Sequence, residues 1–99
     1  MAEISALAVA ADARGLGVGR ALLTGAEVAL REQGVISAWV VTTNDNLAAL
    51  ALYQKAGYRL SALRAGAIDE LRRTLKPSIG EIGEHGIPLR DELELSKLL

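Results

Sequence analysis

Apolar positions fall in short blocks whose spacing switches between two periods. Ile4 to Val9 is a short apolar run ending at AADARG, and it reads as a buried strand. From Gly17 to Gln33 the period lengthens: Val18, Leu22, Ala26, Ala29 and Leu30 recur at helical spacing, with Arg20, Thr24, Glu27 and Arg31 on the other side. Glu27 and Arg31 form an i,i+4 pair, and Gly34 suits the C′ position of that helix. VISAWVVTT, Val35 to Thr43, is a nearly continuous β-branched and aromatic run, as expected of a strand covered on both faces. Asn44, Asp45 and Asn46 then offer helix caps before a helical run, Leu47 to Ala56, that stops at Gly57.

Tyr58 to Leu63 reads as a third strand. Ala65 to Leu75 sets Ala67, Ile68, Leu71 and Leu75 against Asp69, Glu70, Arg72 and Arg73, which predicts a surface helix ended by Pro77. SIGEIGEHGI, between Pro77 and Pro88, holds three glycines and no sustained period, so it reads as a loop. In LRDELELSKLL, Leu93 and Leu95 alternate with Glu92, Glu94 and Ser96 as in a half-exposed strand. The pattern predicts an α/β chain in the order strand-helix-strand-helix-strand-helix-strand, opened by a βαβ unit.

Composition narrows this picture. Ninety-nine residues suffice for one small domain, 1–99, or part of one. The chain lacks Phe and has one Trp and two Tyr, so small aliphatic side chains must fill its core. A net charge of −1 supplies no electrostatic footprint for nucleic acid or an anionic membrane. The absence of cysteine excludes a disulfide framework, a thiolate zinc site and a cysteine nucleophile, and no metal centre is expected. Without a signal-like opening or a membrane-length apolar run, a cytoplasmic location is expected.

The candidate chemistry begins where the first strand breaks into RGLGVGR. A strand feeding straight into a helix leaves several backbone N–H groups without helical acceptors. Gly15, Gly17 and Gly19 carry no side chains to keep a ligand from those amides, and the helix dipole favours phosphate. The same glycines also serve a tight strand-to-helix connection, and glycine content alone does not separate the two uses. A P-loop would need GK[ST], whereas Gly19 is followed by Arg20 and Ala21; the dinucleotide fingerprint would need its third small residue at Arg20 or Leu22.

Arg14, Gly17 and Gly19, spaced RxxGxG after a strand carrying LAV, resemble the acetyl-CoA pyrophosphate loop of the GCN5-related N-acetyltransferases (GNAT). NLAALALYQKAGYR, Asn46 to Arg59, is similar to that family's second cofactor motif, matching it at Asn46, Ala49, Tyr53, Gly57 and Tyr58. The resemblance covers Ile4 to Leu60, and the tail from Gly66 to Leu95 resembles the ending of a bacterial subgroup. It implies a GNAT-like mixed sheet in which the pantetheine arm of acetyl-CoA lies between two splayed strands, bonded to the backbone of Leu7, Ala8 and Val9. Amides of Arg14, Gly15, Leu16, Gly17, Val18, Gly19 and Arg20 would hold the pyrophosphate. Asn46 would bond the pantetheine amide, cap its own helix, or do both. Tyr53 is ordinary core as a buried aromatic; in this motif it is favoured as the acid that protonates the departing thiolate, a task that a phenol's ordinary pKa of about 10 suits.

The implied reaction is direct attack of a primary amine, on a small molecule or peptide, upon the thioester. Glu3 stands eleven positions before Arg14, the spacing at which histone-acetylating members carry their catalytic glutamate, and is the candidate base. A glutamate near a terminus is ordinarily a solvated charge, and that reading stands beside the catalytic one. His85, in the glycine-rich loop, is expected to be exposed rather than catalytic. Glu81, Glu84 and Asp91 would suit a cationic acceptor, though scattered surface charge accounts for them equally.

Family domains carry further strands and helices ahead of the equivalent of Ile4, and these usual N-terminal elements are expected to be lacking here. The outer edge of the Ile4 to Val9 strand would then need a partner. A homodimer or larger homo-oligomer is expected, through that edge or through swapped strands near Leu93 to Leu95. The alternative function is a noncatalytic CoA-binding or protein-interaction module derived from a truncated acetyltransferase.

Overall fold

The computed structural model describes Ala2–Glu3 and residues 16–99, with side chains from Gly19 onward. Its elements are β1 (Ala2–Glu3), α1 (Leu16–Glu32), β2 (Ser37–Thr43), α2 (Leu47–Lys55), β3 (Arg59–Arg64), α3 (Ala67–Thr74), a 3₁₀ turn (Glu84–Gly86) and β4 (Glu92–Leu98). This is the expected alternation. The strand expected over Ile4 to Val9 lies outside the described residues. The sheet order is β1-β2-β4-β3, with β1 parallel to β2 and β4 antiparallel to both of its neighbours. β4 therefore sits inside the sheet, taken up on both sides within the chain. Along it Leu95 is fully buried while Glu92, Glu94 and Ser96 are half-buried, as expected of a half-exposed strand.

Two expectations are corrected. β2 is not covered equally on both faces: Ala38, Val40 and Thr42 are buried, while Ser37, Trp39, Val41 and Thr43 are only half-buried. Ala38 and Val40 join the core with Leu23 of α1, Ala49, Leu52 and Tyr53 of α2, its C-cap Ala56, Tyr58, and Leu95 of β4. β-branched residues promote strand formation on either kind of face, so the run by itself could not report how many faces are covered.

The stripe on α1 is also rotated from the expected one. Leu22 and Ala29 are exposed, whereas Gly19, Leu23 and Glu27 are buried and Ala26 and Leu30 half-buried. A helix this rich in Ala and Leu offers two apolar stripes about one residue apart. The structure chooses the one that places Glu27 opposite a cation.

Both longer helices end on a left-handed glycine. Gly34 (φ 80°) closes α1: its amide donates to the Arg31 carbonyl and the Val35 amide to the Leu30 carbonyl. Gly57 (φ 97°) closes α2 in the same way, with bonds from Gly57 to Gln54 and from Tyr58 to Tyr53. These are Schellman caps, in which the reversal brings the residue after the glycine back onto the last turn. At the open side of the sheet, Arg64 of β3 bridges Glu92 and Glu94 of β4 and holds the Glu94 carboxyl below the usual carboxylate range. No described helix is long and apolar enough to cross a membrane.

Candidate functional site

The first turn of α1 is formed by Leu16, Gly17, Val18 and Gly19, one residue earlier than the spacing predicts. Its amides are those that an α-helix leaves without internal acceptors, and no acidic residue stands in that turn to repel an anion. Gly19 is buried and Arg20 exposed. Leu7, Ala8, Val9, Arg14 and Gly15 lie outside the described residues. Glu3 is placed by its backbone alone, in β1 opposite Trp39.

At the far end of β2 three consecutive polar residues divide the work between them. Asn44 holds the returning chain: its Nδ2 donates to the Pro88 carbonyl at 2.8 Å, and its Oδ1 accepts from the amides of Arg90 and Asp91, both at 3.0 Å. Asp45 is buried, accepting from Thr43 Oγ1 at 2.5 Å and from the Glu84 amide at 2.8 Å. Asn46 caps α2, its Oδ1 accepting from the Ala49 amide at 3.1 Å. The capping role of Asn46 is thereby present. Asn44 and Asp45, which the sequence offered as alternative caps, instead anchor residues 84–91.

Arg72 of α3 completes this anchoring. Its guanidinium donates to the carbonyls of Ile79, Gly80 and Leu89, and to Asp69. Asp91, considered for a cationic acceptor, is engaged by the Gly66 amide at 2.7 Å. His85 is exposed in the 3₁₀ turn with a left-handed backbone (φ 59°), and Glu81 and Glu84, which precede it, are exposed as well.

Tyr53 faces the core from the last turn of α2 and is 1% exposed. The Gly57 reversal lays Tyr58 against it, with ring centroids 6.1 Å apart and planes at 60°. This edge-to-face geometry is a preferred arrangement for aromatic pairs. The Tyr58 hydroxyl donates to Glu27 Oε2 at 2.8 Å. Burial first, and then the bond to the Glu27 carboxylate, pushes the Tyr58 phenol well above its ordinary range.

Lys97 of β4 completes the cluster. Its Nζ donates to Glu27 Oε1 and Oε2 at 3.0 and 3.1 Å and to the Ala56 carbonyl at 2.8 Å, and lies 5.4 Å from the Tyr58 ring centroid. Arg31, the partner expected for Glu27, stands farther off at 3.9 Å.

Sequence reasoning did not find this cluster. Lys97 is 70 residues from Glu27, and no local pattern links them. One signal was present: Glu27 stands four residues after Leu23 and three before Leu30, in line with the face that is buried.

The fold and these motifs define a class. The family model described as "Acetyltransferase (GNAT) family" matches residues 1–58, and the chain belongs to that family. It is similar to the protein YxbD of Bacillus subtilis, 48% identical over 83 residues that make up 84% of this chain and 52% of that protein. Among solved structures it is similar to the IAA acetyltransferase from Bacillus cereus, with TM-score 0.74 and 31% identity over 87% of this chain and 53% of that one. A Bacillus subtilis acetyltransferase in complex with CoA gives TM-score 0.72 and 28% identity, with the same coverage of 87% and 53%. The chain thus spans about half the length of these relatives.

Proposed function

We propose that the chain binds acetyl-CoA and transfers its acetyl group to a primary amine by direct attack. The observation that carries this reading is a buried phenol, Tyr53, on the helix that packs against the glycine-opened helix, in a chain whose first 58 residues match the GNAT family. The residues fit the cofactor. The amides of Leu16 to Arg20, with no carboxylate in the first turn of α1, would hold the pyrophosphate together with Arg14 and Gly15. The backbone of Leu7, Ala8 and Val9 would bond the pantetheine arm, with Asn46 beside it at the start of α2. Bound acetyl-CoA supplies an acetyl group activated as a thioester. The neutral amine forms the new C–N bond as the C–S bond breaks. Tyr53 gives its hydroxyl proton to the departing sulfur, and Glu3, directly or through water, takes the proton lost by the amine.

Calorimetric titration with CoA, set beside thiol release over a panel of amines, tests the reading. Binding with turnover supports it. Binding without turnover favours a noncatalytic CoA-binding module, and absence of binding overturns both. Gly17→Asp, which sets a carboxylate among phosphate-facing amides, is expected to abolish CoA binding in a folded protein. Tyr53→Phe is expected to lower turnover by roughly 10²-fold with acetyl-CoA affinity nearly kept.

A further inference from the structure

The Glu27–Tyr58–Lys97 cluster touches the helix that carries Tyr53 at two points. One is the carbonyl of Ala56, the C-cap residue of α2, which accepts from Lys97 Nζ at 2.8 Å. A cation at that place satisfies a carbonyl that the helix cannot, and it complements the negative end of the dipole. The other is the Tyr53 ring, met edge-on by Tyr58, whose hydroxyl is held by the carboxylate that also binds Lys97. Glu27 comes from α1 and Lys97 from β4, so the end of α2 is fixed against two elements that are far apart in sequence. Glu27 is 5% exposed, and burial at this level makes each of its bonds costly to lose.

We propose that Lys97, acting with Glu27, is a positioning residue for Tyr53: it locks the end of α2 and, through Tyr58, the orientation of the Tyr53 ring. This rests on the reading of Tyr53 as the proton donor. A proton donor works only within hydrogen-bond reach of the leaving atom, and a displacement of about 1 Å is enough to cost much of its effect. Gly57 belongs to the same device. Its left-handed backbone makes the reversal, and a Cβ there would meet the Lys97 stem at 3.5 Å.

Two readouts test the proposal. In steady-state kinetics, Lys97→Met is expected to lower kcat about tenfold with KM for acetyl-CoA within about twofold, and Lys97→Arg to recover most of the loss. In the Tyr53→Phe background, Lys97→Met is expected to cost nothing further, because the group it positions is gone. An unchanged kcat in Lys97→Met, or the same tenfold loss in both backgrounds, overturns the proposal.

The second readout is independent of turnover. The chain holds two tyrosines, so carbon-13 labelling of the tyrosine ζ position gives two resonances. Lys97→Met is expected to move both; movement of Tyr58 alone, or of neither, overturns the proposal. Should Lys97→Met fail to fold, Glu27→Gln, which keeps the side-chain shape, is read by the same two measures. Full turnover in Tyr53→Phe alone would instead overturn the assignment of Tyr53 as the acid, and the resonances would still decide whether Lys97 positions its ring.

Discussion

Gly83→Ala is a single methyl placed where the structure has no room for it. Gly83 precedes the 3₁₀ turn with φ −97°, a value any residue adopts, so the backbone itself does not oppose the change. The obstacle is Asp45. A Cβ on Gly83 would overlap Asp45 Oδ2 and lie 2.6 Å from its Cγ and 2.9 Å from its Cβ. The aspartate stem is short, and the carboxylate is held between the Thr43 hydroxyl and the Glu84 amide, so it cannot turn aside and keep both bonds. Giving up the charge-assisted bond to Glu84 costs roughly 1.5–3 kcal/mol, and residual crowding roughly 1–3 kcal/mol more. Because relief of one eases the other, the expected loss is about 2–4 kcal/mol. For a domain of this size that is a fall in midpoint of roughly 10–30 °C. The assay is thermal and urea unfolding of four proteins: wild type, Gly83→Ala, Asp45→Ala and the double variant, followed by circular dichroism and by the fluorescence of Trp39. With the carboxylate removed, Gly83→Ala is expected to cost less than about 0.5 kcal/mol relative to Asp45→Ala. A Gly83→Ala protein within about 0.5 kcal/mol of wild type, or an equal cost in both backgrounds, would refute the reasoning.

Leu95 is fully buried at the centre of the sheet, and Leu95→Ala is expected to cost about 2–5 kcal/mol by urea unfolding. Gly25 lies inside α1 with open space where a Cβ would go, so Gly25→Ala is expected to stabilise by about 0.5–1 kcal/mol in the same assay. Folded Tyr58 keeps its proton to higher pH than the unfolded residue, whose pKa is about 10, so above that pH the folded state holds the extra proton and loses stability as pH rises. The loss is at most about 1.4 kcal/mol per pH unit, and Tyr58→Phe is expected to remove it, as unfolding midpoints at about pH 9 and 11 would show.

The order of elements was readable because it rests on local signals. Gly34 and Gly57 mark helix ends by their conformation, Asn46 marks a helix start by its side chain, and the runs around Val40 and Leu52 differ in period. What local signals do not carry is the choice among equivalent faces and the pairing of distant charges. α1 has apolar residues on two adjacent stripes, and the buried one is the stripe that packs Leu23 into the core and sets Glu27 against Lys97 of β4, partners that no local pattern names. Asn44 and Asp45 look like caps because caps and long-range anchors use the same side-chain oxygens; which use prevails depends on where residues 84–91 return. The candidate site divides in the same way. Tyr53, Asn46 and the glycines of α1 stand in recognisable motifs, whereas Glu27 and Lys97, which surround Tyr53's helix, have no motif at all.

The position of β4 bears on how the chain can come to be folded. β2 and β3 leave the ribosome well before residues 92–98, yet neither pairs with the other, since β4 lies between them. Until that segment is made, β3 has no strand beside it and the exposed Leu60 and Leu63 have no sheet to belong to. α1, β2 and α2 can collapse early through contacts close in sequence, but the sheet closes only when a strand made late is inserted into its middle, a step slowed by the long loops it must close. A nascent chain stalled before Glu92 therefore presents two strand edges that only β4 satisfies, and such edges are where misassembly begins. The same insertion brings Lys97 to Glu27, so completion of the sheet and fixation of the Tyr53 helix are one event in the life of the chain.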